Sequence, residues 1–311
     1  MARAARQLDT QQPLKWISEV ERDTGVPRAT LRIWERRYGF PAPARDGRGE
    51  RCYPEEQVAQ LRLMQRLIAQ GHRPGQLIAA GAAEIRRLSE AAAPVAARRP
   101  RSAPPLLRLL REHDAVALQE ALEAMLAGDG LARFAAVEVP ALNAMIGDAW
   151  RAGELEIHEE HLYSDCLYRV LRPAISALQP THRPEAPRVL LTTFPDEPHG
   201  LGLLMAEAQF ALHGCPTVSL GVRMPVAQIA AAARAYRADL VGLTFTATLN
   251  PAHVLRGLQE LRGMLPVAVR IWAGGDCPVL YRKTIPGVRA IRDVAAVTSL
   301  LAEDFALPPR A

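Results

Sequence analysis

One histidine lies in a glycine-containing loop of the kind at which ligands bind. Residues 197–202 read Glu-Pro-His-Gly-Leu-Gly, so the carboxylate of Glu197 precedes His199 by two residues and Gly200 follows it. A carboxylate that accepts a hydrogen bond from one ring nitrogen fixes the tautomer and raises the basicity of the other nitrogen. The motif therefore indicates a loop at which a ligand would bind, although taken alone it also fits a loop histidine without a ligand.

The segments around this motif predict the fold that positions it. Residues 188–194 are apolar and β-branched, and a helical pattern over residues 202–212 follows the loop. Residues 239–246 and 267–275 have the same form of strand followed by loop. Because open α/β sheets bind ligands at the carboxyl ends of their strands, we expect the three loops to lie side by side. Residues 186–311 are predicted to form a flavodoxin-like, doubly wound parallel sheet.

The motifs at the three strand ends can be compared together with known patterns. Residues 244–246 read Thr-Phe-Thr, and residues 274–275 are Gly-Gly. With the histidine motif they resemble the cobalamin-binding domain of methionine synthase and its relatives, whose pattern is Asp-x-His-x-x-Gly, Ser-x-Leu and Gly-Gly. The resemblance implies bound adenosylcobalamin or methylcobalamin, with His199 as the lower axial cobalt ligand. The cofactor-binding residues that it implies in this region are Glu197, His199, Gly202, Thr244, Thr246, Gly274 and Gly275.

The chain departs from that pattern at three positions. Glu197 stands in place of Asp, and Thr244 and Thr246 stand in place of Ser and Leu. Glutamate reaches one methylene further than aspartate toward the imidazole, so these departures bear on the affinity for cobalamin. They also support an alternative, in which the domain is vestigial, binds no cofactor and serves in protein interaction.

Composition limits the class of protein. A chain of 311 residues with 49% hydrophobic and 23% charged residues is globular and long enough for two or three domains. Neither a signal peptide nor an apolar run of the roughly 20 residues that span a bilayer is present, which predicts a cytoplasmic protein without membrane contact. The four cysteines are far apart, and the net charge of +5 permits nucleic-acid binding.

The amino-terminal part contains the pattern of a helix-turn-helix. Ser18 and Glu21 form a capping-box pattern that predicts a helix ending at Gly25. A second helix is predicted from Pro27 to Gly39, since proline suits a first helical turn and glycine a helix end. Two short helices joined by a tight turn make a helix-turn-helix.

The second of these helices is basic. Between Arg28 and Arg51 seven arginines and three acidic residues give a net charge of +4, which suits neutralisation of DNA phosphates. Trp34 has apolar neighbours at helical spacing and is predicted to lie in the core. Residues 41–54 are rich in glycine and arginine and predict a wing, and a third helix is predicted over residues 55–70.

This region resembles the MerR family of transcriptional regulators. The resemblance depends on residues 30–41, Thr-Leu-Arg-Ile-Trp-Glu-Arg-Arg-Tyr-Gly-Phe-Pro, and on residues 51–53, Arg-Cys-Tyr. It implies a winged helix-turn-helix DNA-binding domain over residues 14–88, after a disordered lead over residues 1–13. The DNA contacts that it implies are Arg28, Arg32, Arg36, Arg37, Arg48, Arg51 and Tyr53.

A linker and a helical bundle are predicted between the two terminal domains. Residues 89–105 combine Pro, Ala and Arg without apolar periodicity, which is typical of a linker. Residues 106–180 have helical patterns with breaks near residues 128–130 and 151–153, which predicts a four-helix bundle.

The bundle carries a further motif, Trp150 followed after nine residues by Glu160 and His161. It resembles the segment that covers the upper face of cobalamin in photoreceptor regulators of the CarH and LitR type, and implies that these three residues form a cap. The light-responsive members have a histidine after the tryptophan, which can bind cobalt after photolysis. Arg151 occupies that position here.

A bundle metal site is an alternative use of residues 158–161, His-Glu-Glu-His, because positions i and i+3 share a helix face. The sequence contains no second pair of that kind. A solvated His158 is therefore the simpler interpretation.

These observations predict a repressor that binds double-stranded operator DNA and is controlled by cobalamin, with light as one candidate signal. Dimers or tetramers are expected, since regulators with this type of DNA-binding domain read two-fold related half-sites. The chain has no residues left for a catalytic domain, so we do not expect an enzyme.

Overall fold

The computed structural model describes residues 14–47, 49–69, 72–91, 103–152, 154–178, 183–247 and 249–308. The predicted disordered lead and Arg48 lie outside this set. The chain divides into two compact units, one of Met1–Val95 with Asp148–Ile157 and the other of Ala96–Gly147 with His158–Ala311. Among the described residues, no helix combines the length and apolar character needed to cross a bilayer.

The first unit contains the predicted helix-turn-helix and wing. The helices are α1 (Ile17–Thr24), α2 (Arg28–Tyr38), α3 (Glu55–Ala69) and α4 (Pro74–Ala91). The wing is an antiparallel sheet of β1 (Leu14–Trp16), β2 (Ala44–Arg45) and β3 (Arg51–Pro54), in the order β1-β3-β2. Its core includes Val20, Leu31, Trp34, Tyr53 and Leu61, so the prediction that Trp34 is a core residue is confirmed.

The ends of the first two helices test the sequence patterns. Gly25 and Gly39 end α1 and α2 with φ values of 69° and 70°, as predicted. The prediction of Ser18 as the N-cap is wrong. Trp16 precedes the helix, and its amide donates to the carboxylate of Glu19 at 2.6 Å. The reason is that β1 pairs with β3 up to Trp16, so the helix begins directly where the strand ends.

The second unit holds most of the helical bundle. The bundle helices are α5 (Ala103–Arg111), α6 (Ala115–Arg133), α7 (Val139–Ala152) and α8 (Ile157–Ser176), with a π-helical segment, Phe134–Glu138, between α6 and α7. The end of α7 from Asp148, and Ile157 of α8, belong to the first unit. Gly130 has φ 72° and kinks α6, which confirms the predicted break there. Since α4 extends to Ala91 and α5 begins at Ala103, the predicted linker is helical at both of its described ends.

The rest of this unit is a five-stranded parallel sheet. The strands are β4 (Val189–Thr192), β5 (Thr217–Ser219), β6 (Leu240–Thr244), β7 (Arg270–Gly274) and β8 (Arg289–Ile291). The helices are α9 (Leu201–Leu212), α10 (Val226–Ala235), α11 (Pro251–Met264), α12 (Val279–Arg282) and α13 (Val297–Phe305), with a 3-10 turn at Val294–Ala296. The strand order β5-β4-β6-β7-β8 is the flavodoxin-like order, which confirms the predicted fold class.

The sheet is covered on both faces, as a parallel sheet requires. Side chains alternate along each strand, so Leu190 and Ile271 pack with α10 and α11 while Leu191 and Trp272 pack with α9 and α13. Because β4, β6 and β7 are neighbours, their carboxyl ends place the three predicted loops side by side.

Candidate functional site

The site begins at the loop after β4, where Glu197 holds His199. The Nδ1 of His199 lies 2.6 Å from Oε1 of Glu197, and the same oxygen accepts the backbone amide of His199 at 3.1 Å. Glu197 is completely buried, whereas 57% of the imidazole is exposed. When the Nδ1–H group of the neutral imidazole donates a hydrogen bond to the carboxylate, Nε2 carries the lone pair that a metal can bind.

The second oxygen of Glu197 connects two of the three departures from the family motif, Glu197 and Thr246. Oε2 accepts the backbone amide of Thr246 at 2.6 Å and its hydroxyl at 2.8 Å. A leucine at this position offers no hydroxyl to the carboxylate. Glu197 and Thr246 are thus one hydrogen-bonded network that fixes the histidine from the neighbouring strand β6.

The charges of this network follow from the same contacts. Burial alone acts to raise the pKa of Glu197, but the hydrogen bonds from His199 and Thr246 outweigh it and lower the pKa below its ordinary value. Burial acts to lower the pKa of His199, but the hydrogen bond and charge of Glu197, with a contribution from Glu160, raise it. Because the two shifts have opposite directions, each group stabilises the charged form of the other, and a metal must displace any proton on Nε2 of His199.

Thr193 stabilises the loop through two hydrogen bonds, and the sequence did not identify this residue. Its hydroxyl donates to the carbonyl oxygen of Glu197 at 2.7 Å and accepts the amide of Arg223 at 2.8 Å. The threonine is fully buried at the end of β4. A threonine pair at a strand end that precedes a functional loop is the sequence signal that could have indicated it.

The ends of β6 and β7 form the rest of the site. Thr244 lies beside Gly202, where a Cβ would approach the threonine Cγ2 to 3.2 Å. At Gly275 the φ of 99° and the close carbonyl oxygen of Phe245 exclude any side chain. Gly274 ends β7 against the carbonyl of Ile291. The structure brings together all seven residues predicted at the strand ends.

Helix α8 of the bundle also reaches this loop. The Tyr168 hydroxyl lies so close to Gly200 that any Cβ at this glycine would collide with it. In the first turn of α8, Glu160 accepts the hydroxyl of Ser164 at 2.9 Å and lies 2.9 Å from Nδ1 of His161. Sequence reasoning missed Tyr168. Trp150 is half-buried in the last turn of α7.

A second candidate surface is the exposed side of α2. Arg32, Arg36 and Arg37 are exposed, and Arg28 is paired with Glu21 at 2.6 Å. Because residues four apart share a helix face, Arg28, Arg32 and Arg36 form one basic stripe.

Tyr53 is not part of that surface. Its ring is fully buried and its hydroxyl donates to Glu35 of α2 at 2.5 Å, while Nε of Arg51 donates to the same carboxylate at 2.9 Å. Burial, together with the hydrogen bond to Glu35, raises the pKa of Tyr53. The predicted DNA contact of Tyr53 is therefore corrected, since the residue fastens the wing to α2 from inside the core.

Known proteins match both parts of the chain. Residues 16–78 match the family described as MerR HTH family regulatory protein, and residues 187–297 match the family described as B12 binding domain. The HTH-type transcriptional repressor CarH of Myxococcus xanthus is 31% identical over 261 residues, which cover 81% of this chain and 85% of CarH. The repressor CarA of the same organism is 32% identical over 257 residues, which cover 81% of this chain and 84% of CarA.

The chain belongs to the CarH and CarA family. It is a MerR-type transcriptional regulator with a B12-binding domain. The monomethylamine corrinoid protein of Methanosarcina barkeri superposes with a TM-score of 0.51 at 14% identity, over 64% of this chain and 96% of that protein. At that identity the similarity shows a shared fold alone.

The side chains of this CarH-type regulator fit a cobalamin at the strand ends. Thr244 Oγ1 is buried and, within the described part of the chain, has no hydrogen-bond partner. A buried hydroxyl without a partner is costly, and a polar atom of a bound ligand would remove that cost. The lone pair on Nε2 of His199 supplies the nitrogen donor that cobalt requires.

Proposed function

We propose that this regulator is a repressor whose binding to operator DNA and self-association are controlled by cobalamin. The observation that carries the proposal is the network of Glu197, His199 and Thr246, which presents a basic, fixed imidazole nitrogen at the edge of the sheet. Residues 14–88 would bind DNA, residues 106–180 would cover the cofactor, and residues 186–311 would hold it.

Each part of the site has a distinct role in this proposal. His199 would bind cobalt through Nε2, Thr244 would donate to the nucleotide tail, and the glycines at 202, 274 and 275 would let the tail approach the backbone. Trp150, Glu160 and His161 would shield the bound cofactor from water. Bound adenosylcobalamin or methylcobalamin supplies a cobalt–carbon bond that light can break.

Control of DNA binding requires that the cofactor favours one assembly state. A ligand shifts an equilibrium only by its differential affinity for the two states. The bundle and the sheet are joined within one unit by the Arg172–Glu207 ion pair at 2.7 Å and by Gln209, which donates to the carbonyl of Ala132 at 3.1 Å. Side chains of the bundle and the sheet that hold a cofactor between them would have a fixed separation, and with it a fixed surface for self-association.

Titration of the full chain with adenosylcobalamin tests the proposal against a cofactor-free, vestigial domain. We expect saturable binding near one equivalent and operator binding that changes with cofactor. Glu197 and Thr246 are the departures that support the vestigial alternative, and their direct hydrogen bond supports instead a role in holding His199. A protein that stays colourless after desalting, with DNA binding indifferent to added cobalamin, would favour the alternative.

Light is one candidate signal, and the residue at position 151 affects how cobalt can be bound after photolysis. A guanidinium stays protonated and has no lone pair, so Arg151 cannot bind cobalt in place of the histidine of light-responsive relatives. We expect green light to dissociate the oligomer of adenosylcobalamin-loaded protein without producing a stable bis-imidazole spectrum. Absorbance and size-exclusion chromatography before and after irradiation measure this. An unchanged size would remove light from the mechanism, and a stable bis-imidazole spectrum would show that another histidine replaces the missing one.

Cobalt coordination by His199 should depend on pH. The imidazole must lose the proton on Nε2 to bind cobalt. The pKa of His199 is raised above its ordinary value of about 6.5 in the cofactor-free protein, so protons begin to compete with cobalt at a higher pH than for a free histidine. Affinity should therefore be constant above the raised pKa and fall by about tenfold per pH unit below it. Cobalamin titrations followed by absorbance at a series of pH values measure the slope. Coordination that is independent of pH across this range would contradict the assignment of His199 as the cobalt ligand. The variant His199→Ala gives the affinity that remains without the imidazole.

A further inference from the structure

A cluster of two histidines and a glutamate lies at one end of the bundle, apart from the residues assigned to cobalamin. His113 occupies the turn between α5 and α6, and His158 and Glu159 lie in the first turn of α8. We propose that these three residues bind a divalent transition-metal ion, of which Zn²⁺ is the simplest occupant.

The distances suit a shared ion. The Nε2 atoms of His113 and His158 are 3.0 Å apart, and Nε2 of His113 lies 3.6 Å from Oε1 of Glu159. The three ligand atoms all lie within 4.8 Å of one another. Two zinc–nitrogen bonds of about 2.1 Å that meet at roughly 90–110° separate their nitrogens by about 3.0–3.4 Å, so the spacing of the two imidazole nitrogens already suits a shared ion.

The backbone holds His113 in an uncommon conformation. Its φ is 56°, a left-handed value that few residues other than glycine adopt. The turn is fixed on both sides, because the amide of Asp114 donates to the carbonyl of Leu109 at 3.0 Å and the carboxylate of Asp114 caps α6 through the amide of Ala117. This conformation carries the imidazole toward α8. Strained backbone of this kind is concentrated at sites that bind ligands.

Burial and ligand chemistry narrow the class of ion. Glu159 is 6% exposed, whereas both imidazoles are exposed, so a cation can enter from solvent and meet a buried negative charge. Two imidazoles and one carboxylate suit Zn²⁺, Co²⁺ or Ni²⁺, while Mg²⁺ and Ca²⁺ prefer sites made of oxygen atoms.

The cluster differs from the bundle-metal alternative for residues 158–161, which placed His158 and His161 on one helix face. His161, the expected partner of His158, instead lies against Glu160. The second imidazole comes from His113, 45 residues earlier in the chain. The ion would fasten the α5–α6 turn to the start of α8, which carries two of the proposed cap residues, Glu160 and His161. The metal site itself does not depend on the proposed function, because it uses no residue of the cobalamin site.

Zinc titration of the cofactor-free full chain after chelator treatment tests this proposal. The titration is made in the His199→Ala background, so that the cobalt ligand cannot bind zinc. We expect one equivalent of Zn²⁺, with affinity lowered by at least about 100-fold in His113→Asn and in His158→Gln, since even outer-sphere partners of metal ligands contribute about 10- to 100-fold. Asparagine also tolerates positive φ, so His113→Asn should keep the turn folded.

Two further measurements complete the design. His253→Gln, which changes another exposed histidine, should leave zinc binding unchanged. Co²⁺ in place of Zn²⁺ should give visible absorption bands that both cluster variants lose, while their melting temperatures in the absence of metal match that of the parent. The absence of zinc binding, or binding that survives both substitutions, would show that the two imidazoles are joined by a hydrogen bond alone.

Discussion

Replacing His199 with alanine should remove the lower axial imidazole from bound cobalamin and lower the affinity by more than about 100-fold. That figure is a lower bound, because loss of an outer-sphere partner alone costs about 10- to 100-fold. His199 is the nitrogen donor that the strand-end loops present, and its other nitrogen is already committed to Glu197. The spectrum should change from a form with a bound imidazole to one without it, and equilibrium titration should give the change in affinity.

The variants Glu197→Gln and His253→Ala test whether the effect of His199→Ala comes from lost cobalt coordination or from general damage to the loop. The glutamine keeps a carbonyl oxygen for Nδ1 but loses the charge, so it should weaken binding by about 10- to 100-fold and leave the imidazole on cobalt. His253 is an exposed residue in the first turn of α11, 3.9 Å from Asp196 in the loop after β4, so His253→Ala should bind like the parent. If His199→Ala retained the imidazole-bound spectrum, the assignment of the lower ligand would be wrong.

Replacing Arg32 and Arg36 with alanine should have the largest effect on DNA binding. Both side chains are exposed on α2 and lie on one face of that helix. If each neutralises one phosphate, the slope of log Kobs against log salt concentration should become shallower by about 0.9 per residue, hence about 1.8 for the double variant. Each loss should also cost about 1–3 kcal/mol if the arginine contacts a base edge.

A duplex of arbitrary sequence is sufficient for the salt dependence, because phosphate contacts do not require a particular operator. Binding isotherms are measured at several salt concentrations, with and without adenosylcobalamin. Arg87→Ala is the matched control, since Arg87 is an exposed arginine of α4 that is paired with Glu84 at 2.7 Å. An unchanged slope in the double variant would exclude α2 as the phosphate-binding surface.

Local patterns in the sequence determined much of the fold. Gly25 and Gly39 end their helices because only glycine enters the left-handed region without cost, and that property belongs to the residue itself. The apolar runs before the three loops predicted parallel strands, and strands that follow one another with helical connections share an edge. The position of His199 at that edge could therefore be predicted from sequence.

Contacts between residues far apart in sequence were decided by the tertiary structure. The hydrogen bond from Thr246 to Glu197 spans 49 positions and depends on β6 lying next to β4. Tyr53 has the sequence context of a DNA contact, but the packing of the wing against α2 buries it. His113 meets His158 because the α5–α6 turn lies against the start of α8. Sequence patterns report the periodicity of one element, whereas these contacts depend on the packing of two elements, which no local pattern encodes.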